Sequence, residues 1–177
     1  FTHESGIKGE KQMPEMMGGG VAMFDAEGDG DLDVYFVHGG PDSHGSGDPR
    51  LANQLYLQEG GKFVNGTAES GLGDDRYGMG AATGDYDNDG DVDVYIANLE
   101  GDRLYENVGG GKFEDVTERA GIGDSEWTSS VAFFDYDRDG FLDLYVVQYL
   151  TYIEKKCTDL AGRHIYCGPL SFRPVAD

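Results

Sequence analysis

A nine-residue acidic pattern, D-x-[DE]-x-D-G-x-x-D, occurs three times in this chain and restricts its fold more than any other feature. The first copy carries Asp25, Glu27, Asp29, Asp31 and Asp33, and the second Asp85, Asp87, Asp89, Asp91 and Asp93. The third carries Asp135, Asp137, Asp139 and Asp143, with Phe141 at position seven. Like charges at every second position repel unless a cation sits among them. A hard divalent ion that takes roughly six to eight oxygens, Ca2+ above all, suits such donors. The helix–loop–helix calcium site is excluded. It needs a glutamate at position twelve, where this chain has Phe36, Ile96 and Val146.

A ligand scheme follows from the spacing. Side-chain oxygens at positions one, three and five bind the ion, and Gly30, Gly90 and Gly140 at position six permit the sharp turn. The backbone carbonyl of position seven (Asp31, Asp91, Phe141) points inward, and Asp33, Asp93 and Asp143 close the shell. One Ca2+ per loop is expected, about three in all. Arg138, between two aspartates of the third loop, weakens that site.

The flanks of the loops give the architecture. Residues 21–24, 81–83 and 131–134 enter them, and residues 34–37, 94–97 and 144–147 leave them. Their Val, Ile, Tyr and Phe content predicts strands, the outgoing ones buried on both faces. Downstream, Asn53 to Leu57 aligns with Asp102 to Glu106 as a third strand, and Asp102 reads as an exposed surface acid. Gly60-Gly-Lys-Phe63 then aligns with Gly110-Gly-Lys-Phe113, and Thr67 to Leu72 with Thr117 to Ile122. The first aspartates lie 60 and 50 residues apart, the longer interval holding a polar Gly/Pro loop at residues 39–49. Self-similarity at this length predicts an all-β fold of β-propeller blades, about four antiparallel strands each.

Residues 1–177 read as a single propeller region with units at 18–72, 78–122 and 128–177, the last incomplete. Residues 1–7 fit the last strand of a preceding or closing blade. Closed propellers take roughly four to eight blades, so these three are expected to belong to a larger propeller. Tyr35, Tyr95 and Tyr145, with Tyr56 and Tyr105, predict packing between blades. Trp127 either fills a blade junction or faces a partner.

The pattern resembles the FG-GAP (VCBS-type) repeat of integrin-like β-propellers, from residue 1 to about residue 150. It is closer to the branch of cartilage acidic protein and its bacterial relatives, the ASPIC/UnbV group. That likeness is carried by Phe1-Thr-His-Glu-Ser-Gly6, Gly18-Gly-Gly-Val21, the three acidic loops, and the segment from Cys157 to Pro169. Glu27 departs from the family, which usually has Asp or Asn there, and its extra methylene lengthens or tilts that ligand. Integrin-like propellers are adhesive, which is analogy from the fold.

The remaining features bound function. With 34 acidic against 13 basic residues the net charge is −21, which repels phosphate backbones and argues against nucleic acid. Cys157 and Cys167 admit a disulfide, a zinc site with His164, or two free thiols. The disulfide is preferred, because zinc needs more ligands than lie nearby and the other histidines are distant in sequence. A disulfide beside calcium loops implies an oxidising compartment, so the chain is expected to be secreted, extracellular or periplasmic. No stretch reaches the length of a transmembrane helix. No nucleophile elbow, zinc-protease motif or phosphate-binding glycine loop appears, and no enzyme is expected. Three readings stand: a secreted, calcium-binding structural or binding module that engages protein or extracellular matrix, as in cell adhesion; a carbohydrate-binding or polysaccharide-active propeller; and an accessory subunit of a larger extracellular or periplasmic assembly.

Overall fold

The structure of the chain, a computed structural model, describes residues 2, 13–40, 47–122, 125–151 and 156–167. The first sheet runs β1 (Val21–Phe24), β2 (Asp33–Phe36), β3 (Gln54–Glu59) and β4 (Lys62–Asn65), each antiparallel to the next. Gly60 and Gly61, at φ 56° and 81°, turn β3 into β4 through left-handed backbone that glycine adopts without steric cost. The short helix α1 (Thr67–Ser70) follows, ended by Gly71 in the left-handed conformation.

The second sheet repeats this order with β5 (Gly78–Gly84), β6 (Asp93–Asn98), β7 (Arg103–Asn107) and β8 (Phe113–Asp115). Even the register is shared: Tyr35 pairs with Leu55, and Tyr95 with Leu104. Next come the hairpin of β9 (Trp127–Phe134) and β10 (Asp143–Leu150) and a two-strand ribbon of β11 (Cys157–Thr158) and β12 (His164–Ile165). The fold is all-β, in propeller-like blades, and each acidic loop joins the first two strands of one. Of the strand expected at residues 1–7 only Thr2 is described, and the third unit beyond Cys167 lies outside the described residues.

The sheets stack face to face, with β5 packed against both β1 and β9. In the first junction Phe24, Tyr35 and Leu55 meet Val94, Ile96 and Phe113, and the Phe24 and Phe113 rings cross edge to face at 6.3 Å. In the second, Tyr95, Leu104 and Val116 meet Val131, Phe133 and Leu144. Alternate residues of a strand serve opposite faces, so a middle strand feeds both junctions. Each fully buried aliphatic side chain there contributes about 1.5–3 kcal/mol relative to exposure.

This stacking corrects the expected two-faced burial. Only β6 is buried at every position; β2 alternates, and β10 is mostly open or half-buried. Two-faced burial needs a sheet on each side, which among the described residues only the second sheet has. Thus Tyr35 and Tyr95 are 0% and 2% exposed, whereas Tyr145, in the same register, is 60% exposed. Glycine admits the close approach at the first junction. A Cβ on Gly78 would stand 2.3 Å from Val37 Cγ1 and 2.9 Å from the His38 carbonyl oxygen. Gly78→Ala is therefore expected to destabilise the chain by about 1–3 kcal/mol, read as a lower urea midpoint; an unchanged midpoint would show that the junction yields freely.

Three sequence readings are decided or corrected by packing. Trp127 fills a junction, wholly buried among Tyr77, Leu99 and Leu150. Cys157 and Cys167 are bonded to each other, their Cα atoms 5.3 Å apart, which removes the zinc and free-thiol alternatives. Cys167 belongs to the Trp127 cluster, so the bridge ties the β11–β12 ribbon to the core, a short-loop closure that stabilises by about 2–3 kcal/mol. Asp102 is not a surface acid: it is fully buried. Its Oδ1 accepts from the Asn98 amide at 2.7 Å. Its Oδ2 accepts from the hydroxyls of Tyr95 at 2.8 Å and Thr128 at 2.6 Å.

Candidate metal centre

Each acidic loop is wound by two left-handed residues. Position four is Gly28, Asn88 or Arg138, at φ 74°, 62° and 65°, and position six is Gly30, Gly90 or Gly140, at φ 92°, 100° and 92°. An arginine in this region carries strain of about 1–2 kcal/mol, which asparagine tolerates better. The position-one carboxylate then accepts from amides of its own loop, Asp25 from three (Gly28, Asp29 and Gly30) and Asp85 and Asp135 from two each. In the second loop Asp85 takes Asp89 N at 3.1 Å and Gly90 N at 3.0 Å, and in the third Asp135 takes Asp139 N and Gly140 N, both at 3.1 Å. Position five accepts from position seven, Asp89 from the Asp91 amide and Asp139 from the Phe141 amide.

Position nine reaches further. Asp33 accepts from Ala26 N and, in β3, Gln58 N, both at 2.8 Å; Asp93 accepts from Tyr86 N at 3.0 Å and, in β7, Asn107 N at 2.9 Å. Each is buried and ties its loop to the third strand. Asp143 keeps only the loop contact among the described residues, Tyr136 N at 2.7 Å. That structural duty was not legible in the spacing, since the bonded amides lie 14 and 25 residues away.

Oxygens of Asp85, Asp87 and Asp89 lie within 4.8 Å of one another, and so do those of Asp135, Asp137 and Asp143. Two oxygens on opposite sides of a Ca2+ ion stand about 4.8 Å apart, twice a bond of about 2.4 Å, so either group fits inside one coordination shell. All donors are hard carboxylate oxygens, which suits calcium rather than a softer metal. These two groups can hold a metal ion. The first loop is not gathered in this way among the described residues. Asp87 and Asp137 accept from the position-five amide, but Glu27 does not, and Asp29 N turns to Asp25 alone. At the acidic positions one, three, five and nine, Glu27 is where this loop departs from the others.

Electrostatics agree with a cation-seeking site. Burial, then Asp29 and the other neighbouring acids, raises the Glu27 pKa. Burial and then Asp89 raise that of Asp87. Burial lifts Asp93 to about 6, against the opposing pull of the Asn107 and Tyr86 amides. Because the folded value lies above the ordinary aspartate value of 3.8, the ion-free fold holds this proton longer than the unfolded chain does. Asp93 therefore adds stability that is full below about pH 4 and lost as pH rises to about 6. In chelator, urea midpoints of Asp93→Asn should lack that part of the wild-type fall between pH 4 and 6; identical profiles would refute the assignment.

The FG-GAP-like repeat family matches residues 25–96 and again residues 85–146, together more than half of the chain. The chain belongs to that family. Each FG-GAP match starts at the first aspartate of a loop and ends in the second strand of the next sheet, so the repeat spans an inter-sheet junction as well as a loop. No curated protein matches the chain.

Proposed function

We propose that this FG-GAP repeat chain is a calcium-binding, secreted structural module that engages another protein or the extracellular matrix through its propeller scaffold, on the branch of cartilage acidic protein and the ASPIC/UnbV group. The observation that carries the reading is the convergence of the Asp85, Asp87 and Asp89 oxygens, with its counterpart at Asp135, Asp137 and Asp143. Positions one, three, five and nine supply carboxylates, and position seven its carbonyl: Asp25, Glu27, Asp29, Asp31 and Asp33, then Asp85 to Asp93 and Asp135 to Asp143 at the same spacing. A bound Ca2+ neutralises the crowded charge of a loop and fixes the hairpin between the first two strands of its blade.

Sequestration outside the cytosol is supported by the Cys157–Cys167 bridge. No helix among the described residues is long and apolar enough to cross a membrane. Protein is favoured over carbohydrate as the partner by membership of the FG-GAP-like repeat family, whose pattern resembles that of the adhesive integrin-like propellers, and the role is non-catalytic. Isothermal calorimetry of chelator-stripped protein with Ca2+ tests the proposal: saturable binding at micromolar to millimolar Ca2+ is expected, and an absence of heat up to about 10 mM would end it.

A further inference from the structure

Loops two and three are joined by one side chain. Asn88, at position four of the second loop, donates its Nδ2 to the Gly140 carbonyl oxygen of the third at 2.8 Å. On the far side of the same peptide unit, the Phe141 amide donates to Asp139 Oδ1 at 2.8 Å. The Gly140–Phe141 peptide is thus clamped from both sides, once within its own loop and once from the neighbouring blade. This peptide leads into the position-seven carbonyl and fixes the Asp139 carboxylate. The equivalent Gly90–Asp91 peptide has only the inner clamp, from Asp91 N to Asp89, because Gly28 stands at position four of the first loop and has no side chain to extend.

We propose that Asn88 is a positioning residue for the ion site of the third loop, and that it couples filling of the second loop to filling of the third. This rests on the calcium reading above. Asn88 lies between Asp87 and Asp89, two of the three acids gathered in its own loop. An ion that orders those acids also fixes the Asn88 backbone, and with it the hydrogen bond that holds the Gly140 peptide. By linkage the effect is mutual, so each loop binds more tightly when the other is full. Loop one lacks this connection, because Gly28 has no side chain to reach the Gly90 carbonyl.

The test is a Ca2+ titration followed by amide NMR, with Gly30, Gly90 and Gly140 reporting the three loops separately. Asn88→Gly is the first variant, because φ 62° suits glycine and the fold should stand. The Gly140 midpoint should rise about fivefold, the loss of one positioned hydrogen bond, while the Gly30 midpoint stays put. Asn88→Asp, which also tolerates the left-handed backbone but replaces the donor by an acceptor, should weaken loop three in the same way. A merely structural role would lower the melting temperature without separating the Gly140 and Gly30 midpoints. A wild-type Gly140 midpoint in either folded variant overturns the assignment of Asn88 alone. No response of any loop in the wild-type protein overturns both this inference and the calcium reading.

Discussion

Asp102→Ala is expected to destabilise the chain by about 3–5 kcal/mol, among the largest effects of any single substitution in it. The carboxylate is fully buried and receives three donors: the Asn98 amide and the hydroxyls of Tyr95 and Thr128. Alanine removes every acceptor at once and strands those donors in a buried junction. Burial raises the Asp102 pKa, while the bonds from Asn98, Thr128 and Tyr95 pull it down. Burial prevails over those bonds, so the carboxyl holds its proton more tightly than an exposed aspartate does. Asp102→Asn keeps one acceptor oxygen and should recover roughly half of the loss. Thermal unfolding reads the difference, since 1 kcal/mol moves Tm by about 2–4 °C in a domain of this size. A loss below about 1 kcal/mol for the alanine variant would mean that the network relaxes onto other partners.

Removal of divalent ions should be the other large perturbation. If Ca2+ is supplied at about a hundred times its dissociation constant, each occupied loop contributes about 2.7 kcal/mol, and the two gathered loops about 5 kcal/mol together. Chelator should accordingly lower Tm by roughly 10–20 °C, and restored Ca2+ should reverse it. Asp89→Ala separates this effect from general polarity. In Ca2+ it should lose most of one loop's contribution; in chelator it should stay within about 1 kcal/mol of the wild type. Melting that ignores chelator, or an Asp89 variant equally damaged in both conditions, would remove the ion from the account of stability.

Much of this was readable from local chemistry. The loop repeat, the strands around it and the shared register of β3 and β7 follow from alternation, glycine placement and spacing, all properties of neighbouring residues. The fate of Asp102 was not, although a clue existed. Its register partner Asn53 accepts from the His38 amide at 2.7 Å, as Asp102 does from Asn98, so a polar residue that enters the third strand caps the end of the second. Read singly, an acid between Gly101 and Arg103 looks solvated. Burial arises only when the Thr128 strand is laid beside it. Asn88 is similar: a polar residue in a polar loop, its partner 52 residues away.

The sequence by itself determined the hairpin chemistry of this protein: which residues turn, which pair, and where anionic oxygens crowd. Only the stacked sheets decided which tyrosines are enclosed, which aspartates serve as braces, and which loops touch. The first set depends on interactions within a few residues. The second depends on the distance between faces that the chain brings together from remote positions, and no periodicity along the chain encodes that distance.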